Sequence, residues 1–151
     1  MECKEVIDRN PLDKVYIKFR EPIILPKTIP LYTPENLLST VYDQQNSSTT
    51  FYQRRNAIRD TAIMELLFAT GMRISELCSL SIYDVNLYSG TVLIYGKGSK
   101  ERCMHIGNGQ VLSALSKYKI EFSEEMQLGN HFFVNQSGRP LSDQSVRRII
   151  I

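Results

Sequence analysis

Two short segments of this chain carry residue types and spacings that could do chemistry on a phosphate. In Ala69-Thr70-Gly71-Met72-Arg73-Ile74-Ser75-Glu76-Leu77, an arginine stands just past a glycine and three residues before a glutamate. In Gly96-Lys97-Gly98-Ser99-Lys100, a lysine stands between two glycines. Arginine presents a rigid, permanently charged fork of donors that matches two oxygens of one phosphate. Gly71 ends an apolar helical run, so Arg73 falls at a corner and not on a smooth helical face. Glu76, three residues on, is spaced to hold that fork. The glycines around Lys97 admit positive φ and suit a tight hairpin tip, from which an ammonium can protonate a leaving alkoxide or touch phosphate. Spacing alone leaves a plainer alternative open for each. Arg73–Glu76 also fits an exposed helix pair worth about 0.2–0.5 kcal/mol, and Lys97 an ordinary solvated turn.

Other chemistries fit poorly. Gly96-Lys97 is not a nucleotide-binding P-loop, because Gly98 stands where Ser or Thr is required and Thr91 where the first glycine belongs. Gly107-Asn108-Gly109 lacks the parallel βαβ context of a dinucleotide site. His105 and His131 stand singly in β-like runs and read as structural. The three cysteines, Cys3, Cys78 and Cys103, have no paired spacing. That argues against a disulfide or zinc framework and fits a reducing, cytoplasmic setting. No metal or cofactor is called for.

The elements that must position Arg73 and Lys97 are legible from periodicity and breakers. Residues 1–32 read as a linker, with Pro11, Pro22, Pro26 and Pro30 at short intervals. Thr33-Pro34-Glu35 has the form of a helix start, with threonine as cap, proline at the first position and an acid in the first turn. Asn46 to Thr50 read as a polar loop. Ile58, Ala62, Ile63, Leu66 and Leu67 recur at helical spacing between Arg54 and Thr70. A short helix with Ile74, Leu77 and Leu80 inward follows. Asp84-Val85 reads as an edge strand, and Thr91–Tyr95 and Glu101–Ile106 as the arms of a hairpin. Val111, Leu112, Leu115 and Tyr118 mark another helix, His131 to Val134 a short buried extended segment, and Leu141-Ser142 the start of a last helix. The expected fold is α+β and mostly helical, with helices packed around a small three-stranded antiparallel sheet.

Bulk properties set outer bounds. At 151 residues and 42% apolar content the chain is long and apolar enough for one real core. The formal charge of +2 neither requires nor excludes nucleic acid. Its distribution is more informative: Arg54, Arg55, Arg59 and Arg73 lie in one stretch, Lys97, Lys100 and Arg102 in another, and Arg139, Arg147 and Arg148 in a third. One basic face is therefore expected. No run approaches the roughly 18 apolar residues of a membrane helix.

Taken in order, these segments resemble the tyrosine recombinases, or phage integrase family. Asn10-Pro11-Leu12 and the proline-rich stretch after it resemble the linker between that family's two DNA-binding domains. Thr33 to Leu38 resembles the helix that opens its catalytic domain. Arg59 through Leu77 resembles the segment with its first catalytic arginine, and Gly96 to Arg102 the hairpin with its catalytic lysine. Phe132 through Ser142 resembles the stretch that leads into the next helix. The interval from Arg73 to Lys97 is one the family uses. The resemblance implies a DNA recombinase that cuts and rejoins through a 3′-phosphotyrosyl link, with neither ATP nor metal. Arg73 would clamp the scissile phosphate, Lys97 would protonate the departing 5′ oxygen, and Glu76 would support the site. Lys100, Arg102, Arg147 and Arg148 would contact DNA. Double-stranded DNA is the implied partner, and a homotetramer on DNA the implied assembly of the full-length protein.

The family's His-x-x-Arg segment has no counterpart here: Asn108 lies three residues after His105, and Val134 three after His131. The family's nucleophilic tyrosine follows that segment, so none of the eight tyrosines matches it. The expectation is that residues 1–32 are a linker after a missing core-binding domain and residues 33–151 a truncated catalytic domain. The chain alone would then be inactive, with an exposed apolar patch from Val146 to Ile151. A non-catalytic DNA-binding or regulatory module on the same scaffold is the alternative.

Overall fold

The computed structural model describes residue 30, residues 32–96 and residues 100–150. The expected linker lies outside these apart from Pro30 and Tyr32, as do Lys97, Gly98 and Ser99 of the expected hairpin tip and the terminal Ile151. The order along the chain is α1 (Tyr32–Ser47), α2 (Phe51–Thr70), α3 (Ile74–Ser79), β1 (Val85–Asn86), β2 (Thr91–Gly96), β3 (Lys100–His105), α4 (Gly109–Glu121), α5 (Ser123–Gly129) and α6 (Asp143–Ile150). The fold is mostly helical around one antiparallel sheet of order β1-β2-β3. No described helix is long and apolar enough to cross a membrane.

α2 is the central element, with α1 and α4 packed against it. Its six consecutive residues Thr61 to Leu66 are all buried, so it meets neighbours on every side. It starts at Phe51, three residues before the expected start, because Thr50 and Gln53 close a capping box. Thr50 Oγ1 accepts from the Gln53 amide at 3.2 Å and Gln53 Oε1 accepts from the Thr50 amide at 3.4 Å. It stops at Gly71, whose φ of +61° places it in the left-handed region and whose N–H donates to the Leu67 carbonyl at 2.9 Å. α1 departs from expectation at both ends. Thr33 does not cap it: the helix already includes Tyr32, and the Thr33 amide donates to the Pro30 carbonyl at 3.0 Å. At its far end Asn46 and Ser47 are helical and not loop.

The sheet follows the sequence closely. β1 pairs Val85 with Val92, and β2 pairs Ile94 with Arg102 on β3. Val92 and Ile94 face the core and are fully buried. The extended segment 131–134 is tied in by single bridges, Ser81 to His131 and Val134 to Pro140. Tyr118 pins it further: its hydroxyl donates to the Phe132 carbonyl and accepts from the Val134 amide, both at 3.0 Å. Burial pushes that hydroxyl's pKa well above the ordinary tyrosine value. Phe122, Phe132 and Phe133 surround its ring.

The expected apolar patch from Val146 to Ile151 is closed at Val146 and half-covered at Ile149 and Ile150, and Ile151 lies outside the described residues. Val146 is fully buried, and Ile149 and Ile150 pack against the core. α6 docks on α3 and α2, which already supply the apolar surface its inner side needs.

Candidate functional site

The Gly71 cap turns the chain so that Arg73 becomes the residue just before α3, with extended backbone at φ −73° and ψ 150°. Its amide would be an orphan donor at the helix start. Glu76 takes it: Oε2 accepts from the Arg73 N–H at 2.9 Å. Arginine has no acceptor to return, so only the carboxylate half of a capping box is made. Glu76 Oε1 also accepts from Arg73 Nη1 at 3.0 Å. One carboxylate therefore fixes both the backbone and the head group of Arg73.

Glu76 has a second partner from across the fold. Arg102 on β3 donates from Nη2 to Oε2 at 2.7 Å and from Nη1 to Oε1 at 3.4 Å. The side chain of Glu76 is only 6% exposed, that of Arg102 is 39% exposed and that of Arg73 is 73% exposed. The group thus grades from a buried anion to an outward cation. The Arg73 amide holds the Glu76 carboxyl below its ordinary pKa, against the upward push of burial, with help from the Arg73 and Arg102 side chains.

Arg73 and Glu76 line a concavity of about 490 Å³ together with Ser75, Ser79, Tyr95 and Gly96. Gly96 ends β2, and the next residue in the chain is Lys97, which lies outside the described residues. Desolvation first, then Glu101 and Asp84, raise the Tyr95 hydroxyl above the ordinary tyrosine value, which disfavours its phenolate as an attacking group. Cys78 on α3 is no nucleophile either: burial first, then the neighbouring Asp143, push its thiol up to about 12.

The other expected basic residues separate into two groups. Arg55 and Arg59 do not join a basic face. Arg55 pairs with Glu121 at 3.3 Å and Glu125 at 2.7 Å, and Arg59 with Asp60 at 2.8 Å. Arg54, Arg139, Arg147 and Arg148 are exposed, the last two in the final turn of α6. Lys100 is the first residue of β3. His105 lies on the exposed side of β3, and His131 pairs through its backbone with Ser81. No cluster of residues able to hold a metal ion occurs among the described residues.

Sequence reasoning missed that Arg102 belongs with Glu76. A signal was present: Arg102, Met104 and Ile106 alternate, which puts Arg102 in phase with the core-facing side of its strand.

Residues 38–151 match the sequence profile of the phage integrase family. A tyrosine recombinase of Agathobacter rectalis is 61% identical over 150 residues, covering 99% of this chain and 49% of that protein. The tyrosine recombinase XerC of Bacillus subtilis is 33% identical over 152 residues, covering 97% of this chain and 46% of that protein. The chain thus spans about half the length of the curated relatives it matches. Among solved structures, the XerH site-specific recombinase in a post-cleavage complex with a palindromic difH substrate superposes with a TM-score of 0.65 at 27% identity, over 84% of this chain and 36% of that one. The XerA recombinase shares the fold, with a TM-score of 0.61 at 23% identity over 83% of this chain and 42% of that one.

Proposed function

Because the chain belongs to the phage integrase family, we propose that it carries the arginine-and-lysine part of a site that cuts and rejoins duplex DNA through a 3′-phosphotyrosyl intermediate. The observation that carries this reading is the outward fork of Arg73, held at the rim of a concavity by a buried carboxylate. Arg73 grips the non-bridging oxygens of the scissile phosphate, where charge builds in the transition state. A tyrosine gives up its phenolic proton to solvent as its oxygen attacks phosphorus, and the bond to the 5′ oxygen breaks. Lys97 gives its proton to that oxygen. The new tyrosyl ester keeps the energy of the phosphodiester, so the reverse attack by a 5′ hydroxyl reseals the strand without ATP. Glu76 holds Arg73 in place throughout.

The resemblance assigns the nucleophile to a tyrosine beyond a His-x-x-Arg segment, and these 151 residues contain no such segment. By themselves they bind DNA weakly, with steep salt dependence, and do not cleave it. The XerH complex supports duplex DNA as the ligand, since that relative is held on its difH substrate. Titration of labelled duplex at low and high salt tests the binding part. Arg73→Ala combined with Lys97→Ala is expected to weaken it, and unchanged binding would overturn both phosphate roles. A nicked suicide duplex tests the rest: a covalent adduct on this 151-residue chain would overturn the division of labour proposed here.

A further inference from the structure

The Glu76 carboxylate is fully engaged: its two oxygens receive Arg73 N, Arg73 Nη1 and both terminal nitrogens of Arg102. Arg73 contributes only Nη1 of its guanidinium, and its Nε and Nη2 make no hydrogen bond to a described residue. We propose that Arg102 is a positioning residue that neutralises Glu76 from the β3 side, so that Glu76 can orient Arg73 without cancelling its charge. The inference rests on the reading of Arg73 as a phosphate clamp.

A lone Glu76 beside a lone Arg73 would form a neutral pair, and the carboxylate would compete with phosphate for the same fork. With Arg102 present, two guanidinium charges stand against one carboxylate, and the group keeps one positive charge facing the concavity. The geometry favours this division. The shortest side-chain contact of Glu76 is to Arg102, at 2.7 Å, while Arg73 is the more exposed of the two arginines. Arg102 is also anchored by its strand, opposite Ile94 in the register of the hairpin. It therefore acts on a ligand through Glu76 and Arg73, and needs no contact of its own.

The test is a double-mutant cycle on the 151-residue chain, read as affinity for a short labelled duplex at low salt. Arg73→Ala in the otherwise unchanged chain is expected to weaken binding roughly tenfold, the size of one charge-assisted contact. Arg102→Gln keeps a hydrogen bond to Glu76, which protects the fold, but removes the charge. In that background Arg73→Ala is expected to matter by less than about twofold, since Arg73 is already neutralised. Arg102→Lys is expected to recover most of the lost affinity, because an ammonium supplies the charge without the fork. A tenfold Arg73→Ala effect in both backgrounds would overturn the inference, whether Arg102 then proved structural or a separate DNA contact. So would an Arg102→Lys chain as weak as Arg102→Gln. If Arg73→Ala has no effect even in the unchanged chain, the clamp reading itself falls and takes this inference with it.

Discussion

Two arginine–carboxylate groups in this molecule have inverse stoichiometry. Where α2 meets the α4–α5 junction, one guanidinium, Arg55, is shared between two carboxylates, Glu121 and Glu125. At the start of α3, one carboxylate, Glu76, is shared between two guanidiniums, Arg73 and Arg102. Arg55 is 14% exposed, stacks over the Phe122 ring at 4.3 Å and also donates to the Glu121 carbonyl at 2.8 Å. Its Nη2 serves both Glu125 and the Glu121 carbonyl, its Nε lies buried 3.3 Å from Glu121 Oε1 without a hydrogen bond to a described residue, and the side chain ties distant elements together. Arg73 has one edge held and the other free of described partners. The difference lies in which charge is buried. A half-buried cation between two acids is a structural clasp, whereas a buried anion with two cations leaves one cation turned outward for a ligand.

The contrast predicts its largest effect on stability at Arg55. Removing one member of a largely buried pair leaves the other charge uncompensated. Arg55→Ala is therefore expected to cost about 3 kcal/mol in urea unfolding, by leaving Glu121 and Glu125 facing each other without a cation. A loss under about 0.5 kcal/mol, the size of an exposed pair, would remove the distinction between clasp and clamp.

Glu76→Gln is expected to come second, at about 2 kcal/mol, because it removes the charge that two guanidiniums and a helix-start amide share. It also carries a pH signature. The carboxyl of Glu76 is held below its ordinary pKa by the Arg73 amide first, then by the two arginine side chains, against burial. At pH values between the folded and unfolded pKa values the unfolded chain binds more protons, so stability rises with pH there. The contribution is complete above the ordinary glutamate range and is lost as pH falls through the folded value. Glu125 behaves alike: burial raises it, but Arg55 and a backbone amide prevail and lower it. Glu76→Gln should therefore flatten one part of the acid loss and leave the part that Arg55→Ala removes. Urea midpoints of both variants measured from neutral pH down to about 3 would show it, and an acid profile unchanged in Glu76→Gln would break the assignment.

How much of this was legible follows from the range of each signal. The stop at Gly71 and the Arg73–Glu76 spacing are local, and sequence carried both. The hairpin arms were readable as β-rich runs on either side of Gly96-Lys97-Gly98-Ser99, to within a residue at each end, whereas their register came from the structure. Arg55 looked like Arg54 and Arg73, one more member of a basic stretch, because its partners lie on α4 and α5 far along the chain. α5 itself was not anticipated: Ser123-Glu124-Glu125 reads as an acidic surface run until Met126 is seen buried behind it. The expected patch at Val146 failed for a related reason. Sequence shows that a helix has an apolar side, but not which earlier elements already cover it.

Arg73→Ala should have the smallest effect on stability, under about 0.5 kcal/mol, and this is the sharpest test of the contrast. The side chain is 73% exposed, and its one contact to Glu76 is the kind that exposed ion pairs make. The bond that starts α3 comes from the backbone amide of residue 73, which alanine retains. Glu76 keeps Arg102 and does not become an unpaired buried charge. The substitution therefore removes a ligand-facing fork while the fold keeps its corner. Urea unfolding and duplex binding on the same samples should diverge, with stability nearly unchanged and affinity reduced. Parallel losses in both would mean that Arg73, like Arg55, is part of the scaffold.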